Sequence, residues 1–377
     1  MTVLTAMPNY PTGRVFEGYR RRWYSRTTQD ETDVIRAWIW PRPGHSWLSR
    51  GLTYCSFAFS ALFVGIFHAP RADLLIWETP PLVLGPTACL LSRIKGARMV
   101  TNVSDLWPAS LVAVGVLRAG IVLKTLEKLE RFLYRKSAAI SGQTEHIIAD
   151  IQDRVPEVPA VLWRNGVDAH AFASGNRAMW REQWQLPQDR FVVGYAGLFG
   201  MTQGIEVICH TAELLRDVPV TFVMVGDGPA RKGLIDLTQM LGLSDLLWMP
   251  SCPHEDMPGV WSAFDCTIIC LRNLALFRGA VPSKTYEAMA AGVPVILSVE
   301  GEAAGIIRDS DAGIVVEPEN PQQMAEAIEA LRTDPVRRKR LGQNGLRTAT
   351  RNYDRQILNG AYINALVSVA QPPAREQ

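Results

Sequence analysis

Short apolar segments alternate with longer stretches of helical periodicity along the whole chain. This alternation is typical of parallel sheets built from strand–helix units. In the first half, the predicted strands span residues 2–6, 34–40, 73–78, 97–103, 138–142 and 160–163. In the second half, they span residues 190–197, 220–226, 246–250, 266–271, 293–299 and 312–317. The pattern therefore predicts an α/β fold with two doubly wound sheets.

The length of the chain also favours two domains. It has 377 residues, whereas a single domain commonly holds about 100 to 200. A polar segment rich in Trp and Arg separates the two sets of strands, and we interpret it as a linker. The predicted organisation is a first domain over 1–168, a linker over 169–189, a second domain over 190–351, and a final helix within 352–377 that could cross back to the first domain.

Two helical segments of the first half raise the question of a membrane. Residues 54–67 form an uncharged, mostly apolar segment of 14 residues, and because a bilayer needs about 20, we expect it not to cross one. A helix lying in the membrane interface and a buried core helix both stay open. Residues 112–136 combine an apolar stripe with a basic side, so a packed surface helix and a membrane-contacting helix are the alternatives.

Composition and charge narrow the class of protein. Hydrophobic residues make up 47% of the chain and charged residues 20%, as in globular enzymes rather than disordered or disulfide-built chains. Residues 1–170 carry 20 Lys and Arg against 14 Asp and Glu, whereas the rest carries 19 against 23. We therefore expect the first half to meet an anion such as a phosphate or a membrane surface, but no nucleic acid. Six cysteines without a CxxC pair, and no signal peptide, predict a cytoplasmic protein.

Glycine-rich loops follow two predicted strands of the second half. The first, Gly194–Gly204, opens a helix near Ile205 and would bring backbone N–H groups to an anion at the helix N-terminus. A tight strand-to-helix turn without a ligand is the alternative. The second loop begins at Gly226. Because Arg231 stands where a dinucleotide site would have a third glycine, no nicotinamide cofactor is expected.

The segment 281–296 carries the most informative chemistry. Ser283 is predicted to cap a short helix that ends at Gly292. Lys284 would then face a phosphate at the helix N-terminus. Glu287, one turn from Ser283, would accept hydrogen bonds from ribose hydroxyls. An ordinary solvated pair of Lys284 and Glu287 is the alternative.

Several motifs, taken in their order along the chain, resemble a known family. The segments PSKTYEAMAAGVPVI (282–296), GYAGLFGMTQGIE (194–206) and MVGDGP (224–229) resemble the C-terminal domain of family-4 retaining glycosyltransferases of GT-B fold. The segments VLTAMPNYPTGRVFEGYR (3–20) and SDLWPAS (104–110) are similar to one branch of that family, the bacterial O-antigen and capsule transferases that include an N-acetyl-fucosamine transferase. The resemblance implies two Rossmann-like domains that face a cleft.

The resemblance also implies roles for individual residues. Glu287 matches the second glutamate of the family's E-x7-E signature and would bind the nucleotide ribose, whereas the first glutamate falls at Gly279 and is missing. Gln203 stands where the family usually has a lysine, which makes Lys284 more important here. The implied catalytic residues are Asp105, Lys284 and Glu287. The implied donor-binding residues are Gly197, Gly200, Gly204, Gly226, Pro282, Ser283, Lys284 and Glu287.

The implied reaction transfers a sugar from a nucleotide-diphosphate donor, preferably a UDP-sugar, to a lipid-linked saccharide. It proceeds with retention, without a protein nucleophile, at the inner face of the cytoplasmic membrane, where the protein would be peripheral. Acceptor contacts are expected at Asn9, Tyr10 and Trp107. No cofactor and no metal are expected: Asp309-Ser-Asp311 matches the DxD pattern of metal-dependent transferases, but it lies in a helix-to-strand turn far in sequence from the glycine loops.

The start of the chain departs from the family's pattern. The first domain of such enzymes normally begins with a strand, a glycine-bearing loop and a helix, which precede the strand that residues 2–6 match. We therefore expect this piece to be missing and strand edges to be left unpaired. Two alternatives to transfer stay open, a GT-B epimerase acting on a UDP-sugar and a truncated, non-catalytic relative that binds a nucleotide-sugar.

Overall fold

The chain folds into two compact α/β units, which confirms the predicted fold class. The structure, a computed structural model, describes residues 1–9, 13–42, 47–113 and 115–370. Among the described residues, the first unit comprises those within Met1–Trp163 and residues 362–370, and the second comprises Arg164–Ala361. The segment 169–189, predicted as a linker, lies within the second unit.

The strands of the first unit are divided between two sheets. They are β1 (Thr2–Ala6), β2 (Tyr24–Gln29), β3 (Thr32–Ala37), β4 (Leu74–Thr79), β5 (Arg98–Val103), β6 (Ala139–Gly142) and β7 (Ala160–Leu162). One sheet has the order β1-β3-β2, in which β2 is antiparallel to β3, and the other is parallel with the order β4-β5-β6-β7. Strand β2 was not predicted, because its sequence YSRTTQ is polar and buries only Ser25.

The described helices of the first unit pack on these sheets. They are α1 (Trp47–His68), α2 (Gly85–Lys95), α3 (Ala109–Ala113), α4 (Ile121–Lys136) and α5 (Glu145–Arg154). Helix α1 packs on β1 and β3, α2 packs on β4 and β5, and the two helices pack on each other. The close approach of α1 and α2 requires a small residue, because a Cβ at Gly65 would lie 2.8 Å from a methyl carbon of Leu91.

Helix α1 is longer than the apolar segment from which it was predicted. Among the described residues, it is the one helix that length and composition would allow to cross a membrane. The helix is therefore longer than its apolar segment indicated, and the expectation that it does not cross a membrane stays a prediction. One face of α1 buries Ala61 and Val64 against the sheet, whereas Phe59, Phe63 and Phe67 are exposed. The helix thus combines a core-facing side with an exposed aromatic side.

The second unit is built on one continuous parallel sheet. Its strands are β8 (Phe191–Ala196), β9 (Val220–Val225), β10 (Leu246–Met249), β11 (Cys266–Cys270), β12 (Val295–Ser298) and β13 (Gly313–Val315). They are arranged in the order β10-β9-β8-β11-β12-β13. All of them match predicted strands to within two residues. Their apolar runs arise because helices cover both faces of a parallel sheet.

The helices of the second unit follow its strands in alternation. They are α6 (Ala169–Phe172), α7 (Arg177–Gln183), α8 (Glu206–Leu214), α9 (Arg231–Met240), α10 (Met257–Ser262), α11 (Ser283–Ala290), α12 (Glu302–Ser310), α13 (Pro321–Thr333) and α14 (Pro335–Asn352). Arg181 of α7 donates to the carboxylate of Asp265 at 2.7 Å, just before β11. This ion pair ties the predicted linker segment to the sheet.

A last helix, α15 (Arg355–Ala370), begins in the second unit and ends in the first. In the first unit, the ring of Tyr362 stacks on Trp163 with centroids 4.1 Å apart. The hydroxyl of Tyr362 lies 3.1 Å from that of Ser141. The second half of α15 therefore completes the packing of the first unit.

Candidate functional site

The two glycine loops of the second unit follow neighbouring strands, β8 and β9, and interlock. The backbone N–H of Phe199 donates to the carbonyl oxygen of Asp227 at 2.9 Å. Gly226 has a φ of 139°, and a Cβ there would lie 2.0 Å from the carbonyl oxygen of Gly197. A Cβ at Gly228 would lie 2.6 Å from the carbonyl oxygen of Phe199. The close approach of the two backbones therefore requires glycine at both positions.

Arg272, which follows β11, holds the first glycine loop in place. Its backbone N–H donates to the carbonyl of Thr202 at 3.0 Å, and its guanidinium donates to the carbonyl of Met201 at 2.7 Å. The loop closes at Gly204, whose φ of 62° favours glycine. A Cβ at Gly200 would make only ordinary contacts at 3.6 Å, so no crowding demands glycine there. Sequence analysis missed Arg272, because it belongs to none of the motifs.

Lys284 lies beneath the first glycine loop. Its ammonium donates to the hydroxyl of Tyr195 and to Oε1 of Gln203, each at 3.0 Å, and lies 4.2 Å from the centre of the Tyr195 ring. A Cβ at Gly197 would lie 3.3 Å from Lys284 Nζ. Burial lowers the pKa of Lys284 to about 8, against smaller opposing effects of Cys270 and Glu287. Lys284 as a whole is half-buried, and its buried ammonium has neutral hydrogen-bond partners, which suits an anionic ligand at the loop.

Helix α11 begins differently from its prediction. Ser283 was expected to cap the helix, but it is the first helical residue, and Pro282 occupies the N-cap position without a side-chain cap. The fixed φ of Pro282, −59°, leads the chain directly into the helix, which makes a hydroxyl cap at the next residue unnecessary. The predicted end is close to the observed one, since α11 ends at Ala290 and Gly292 follows with a φ of 69°.

Glu287 lies on the same helix, three residues beyond Lys284 and so slightly less than one turn away. Its Oε2 accepts a hydrogen bond from Nε1 of Trp261 at 3.1 Å. Trp261 is fully buried in α10 and fixes one oxygen of the carboxylate. The other oxygen can accept hydrogen bonds from a ligand. Sequence analysis named Glu287 but missed Trp261, because their contact joins residues 26 positions apart.

Asp105 belongs to the first unit, in the half-buried turn that follows β5. Beside it, the carboxylate of Glu78 accepts hydrogen bonds from Asn102 Nδ2, at 2.5 Å, and from the hydroxyl of Ser104. The amide of Gln143 donates to the same hydroxyl at 2.8 Å. Desolvation raises the pKa of Glu78. The turn that holds Asp105 is therefore tied to a polar network at the carboxyl end of the sheet.

The expected acceptor contacts are spread over the first unit. Trp107 shares the turn with Asp105 and packs against a cluster that includes Leu82 and Leu133. Asn9 follows β1, and its side-chain amide donates to the carbonyl of Met7 at 2.8 Å. Tyr10 lies outside the described residues. Trp107 and Asn9 thus have packing and turn-forming contacts of their own, and their role toward an acceptor stays a prediction.

The DxD-like pattern lies at the end of α12, as its sequence position indicated. Asp311 adopts a φ of 46° at the C-terminus of the helix. Its carboxylate pairs with Arg340 and accepts a hydrogen bond from Asn344 Nδ2 at 2.9 Å. Within the described ranges, no three His, Cys, Asp or Glu side chains are grouped to hold a metal ion. Asp311 therefore has a structural role, joining α12 to α14.

The arrangement in the second unit can hold a nucleoside diphosphate. Lys284 and the backbone of the first glycine loop offer positive charge and N–H groups to phosphate oxygens. Glu287, less than one turn further along α11, can accept from two neighbouring ribose hydroxyls. The structure thus brings together Gly197, Gly226, Lys284 and Glu287, which sequence analysis selected separately.

Comparison with known proteins shows that two domain-family models match this chain. Residues 1–166 match the model described as "Glycosyl transferase 4-like domain", and residues 176–348 match that described as "Glycosyl transferases group 1". A curated relative, the "Putative colanic acid biosynthesis glycosyl transferase WcaI" of Escherichia coli (strain K12), is 26% identical over 337 residues. The match covers 86% of this chain and 82% of the relative.

Solved structures share the fold. The sucrose-phosphate synthase of Thermosynechococcus elongatus superposes with a TM-score of 0.76 at 17% identity, covering 98% of this chain and 89% of that one. Anabaena HepE, crystallised with UDP and glucose, superposes with a TM-score of 0.70 at 18% identity, covering 90% of this chain and 87% of that one.

Proposed function

The chain belongs to the GT-B glycosyltransferases, and we propose that it transfers a sugar from a UDP-sugar to a lipid-linked saccharide, with retention. Its two halves match glycosyltransferase domain models, and its fold is that of GT-B enzymes. The saccharide belongs to a surface polysaccharide such as an O-antigen or a capsule, and the sugar is an amino or deoxy sugar, as in the N-acetyl-fucosamine transferases that the first half resembles. The observation that carries the proposal is the position of Lys284 beneath the glycine loop, with Glu287 on the same helix.

In this proposal, the second unit holds the donor. The Lys284 ammonium and the loop amides bind the diphosphate and stabilise the negative charge that grows on it as the sugar leaves. Glu287, held by Trp261, binds the ribose and fixes the position of the sugar. The leaving diphosphate takes the proton of the acceptor hydroxyl on the face from which it departs, so no protein nucleophile is needed. Asp105 is proposed to act near the donor sugar.

Two comparisons support the nature of the substrates. HepE, which shares the fold, was crystallised with UDP and glucose, which supports a UDP-sugar as donor. The curated relative is described as a colanic acid biosynthesis enzyme, which supports a surface polysaccharide as product. The proposed reaction uses no metal and no cofactor.

The exposed face of α1 supports a peripheral position on the inner face of the membrane. Phe59, Phe63 and Phe67 recur at intervals of four residues, and their exposed fractions are 57%, 39% and 75%. Helix α4 also exposes apolar residues at its start, Ile121 and Val122, and a row of basic residues. Exposed aromatic side chains and exposed basic ones each suit the headgroup region of an anionic bilayer. The occupant proposed for this face is therefore the membrane that carries the acceptor.

The strand edges of the first unit bear on the expected gap between its sheets. Among the described residues, β1 and β4 each pair with a strand on one side only. Their covering helices α1 and α2 pack together across the division. A strand between β1 and β4 stays a prediction.

A transfer assay tests the proposed function. The protein is incubated with a panel of UDP-sugars, with and without lipid-linked saccharide, and the products are identified by mass spectrometry. We expect release of UDP that depends on the acceptor, together with a saccharide enlarged by one sugar. Conversion of the donor without acceptor would instead indicate an epimerase, and binding of the donor without conversion would indicate the non-catalytic relative.

A further inference from the structure

A surface cavity of about 620 Å³ lies in the first unit, and its lining includes none of the candidate site residues named above. It is formed by strand β2 and the segment before it. Its lining includes Tyr19, Arg22, Tyr24 and Arg26, and we term it the arginine cavity. Two guanidinium groups and two phenol rings give it the composition of a site for an anionic, partly apolar ligand.

The arginine cavity carries uncompensated positive charge. Arg26 is neutralised, because its guanidinium donates two hydrogen bonds to Asp33 at 2.8 and 2.7 Å. Arg36, on β3 beside it, donates to the hydroxyl of Thr27 at 2.7 Å and has no carboxylate partner in the described part of the chain. Arg22 is exposed and likewise makes no ion pair with any described residue. At least one cation in the lining is therefore available to an anion.

The position of the cavity relates this charge to the membrane. The ring of Tyr24 stacks on His68, with the centroids 4.0 Å apart. His68 is the last residue of α1, and Phe67 beside it is the most exposed of the three phenylalanines. The arginine cavity thus adjoins the end of the aromatic face of α1. If that face rests in the headgroup region, the cavity lies at the depth of lipid phosphates.

We propose that the arginine cavity binds a phosphoryl group of the lipid-linked acceptor, with Arg22 as its main charged contact. This inference rests on the proposed function, since it assigns a phosphate-bearing lipid to the acceptor side. The recognised chemistry is a phosphate or diphosphate group. Its carrier is a lipid, because an apolar tail would extend from the cavity along the phenylalanines of α1. Tyr19 and Tyr24 provide the apolar walls and hydroxyl groups that accompany such a headgroup.

Vesicle binding of the full chain tests the inference. Phosphatidylcholine vesicles that contain a polyprenyl phosphate are compared by flotation with vesicles that carry the same negative charge as phosphatidylglycerol. The variant is Arg22→Gln, and the matched control is Arg337→Gln, which removes one charge from an exposed position on α14 of the second unit. We expect the parent and the control to prefer polyprenyl phosphate by about tenfold, and Arg22→Gln to lose that preference.

Two further measurements separate the possible outcomes. Titration with inorganic pyrophosphate tests whether the cavity binds a phosphate that has no lipid attached. Pyrophosphate binding that depends on Arg22, without a preference among vesicles, would support a phosphoryl site but overturn the lipid carrier. Equal behaviour of Arg22→Gln and the parent in both assays would overturn the site. Titration with UDP addresses the second unit alone. Failure to bind UDP would count against the proposed function, whereas UDP binding together with equal vesicle and pyrophosphate binding by Arg22→Gln and the parent would count against this inference only.

Discussion

The two units of this protein build their candidate sites in different ways. In the second unit, the site lies on one continuous parallel sheet, and backbone segments approach so closely that Gly226 and Gly228 admit no side chain. In the first unit, the strands are divided between two sheets, and the notable features are exposed side chains, the phenylalanines of α1 and the arginines of the arginine cavity. The comparison teaches that the proposed donor side is specified by backbone geometry and the proposed acceptor side by surface chemistry.

The largest effect of a single substitution is expected in the second unit, on turnover. Glu287→Ala should reduce turnover by about 100-fold, because the ribose loses the carboxylate that positions the reacting sugar. The fold should persist with a loss of stability of about 1 to 3 kcal/mol, because the N–H of buried Trp261 loses its acceptor. Steady-state rates measure turnover and thermal melting measures stability. Glu213→Ala, on the exposed side of α8, is the control. Turnover within about threefold of the parent would remove Glu287 from the donor site.

A second test concerns the interlocked backbones. Gly226→Ala should lower the free energy of unfolding by about 2 kcal/mol and weaken UDP binding, because its Cβ would meet the carbonyl oxygen of Gly197 at 2.0 Å. The control is Gly233→Ala in α9, where no atom lies within 4 Å of the added Cβ. That change should stabilise the protein by about 0.5 kcal/mol. Similar unfolding curves for the two variants would show that the close approach of the two loops does not require glycine at position 226, and would contradict the difference drawn between the two units.

The third test uses pH. Burial lowers the pKa of Lys284 to about 8, so its ammonium is charged at pH 7 and mostly neutral at pH 9. Since the diphosphate needs the cation, UDP affinity should fall by about tenfold between these values. Lys284→Met should bind UDP weakly and without this pH dependence. An affinity of the parent that stays constant up to pH 9 would contradict the burial of Lys284 at the site.

The smallest effect is expected on the surface of the first unit. The double variant Phe63→Ser, Phe67→Ser should weaken binding to anionic vesicles by about fivefold and leave UDP affinity unchanged. Met240→Ser is the control, because Met240 is 76% exposed on the second unit. Equal vesicle binding by parent and double variant would show that another surface meets the membrane. A parallel loss of UDP binding would show that the two sides are not separable.

The sequence predicted the strands well because they depend on local pattern, whereas the donor-binding role of the glycine loops, Lys284 and Glu287 stays a prediction. Each predicted strand exists, since apolar runs between turn residues leave few alternatives. The missed features depend on tertiary contacts instead. Trp261 reaches Glu287 across 26 positions, and Arg272 holds a loop some 70 residues away. The polar strand β2 forms because β3 provides an edge to pair with, which no periodicity within β2 itself reveals.

Calorimetric titration of UDP into the full chain tests the central claim most directly, because it addresses the donor site without acceptor or membrane. We predict one UDP bound per chain, strongly weakened binding by Lys284→Met and by Glu287→Ala, and parental binding by the variant of Phe63 and Phe67. No binding by the parent, or parental affinity in both Lys284→Met and Glu287→Ala, would contradict the assignment of the nucleotide diphosphate to this loop and helix.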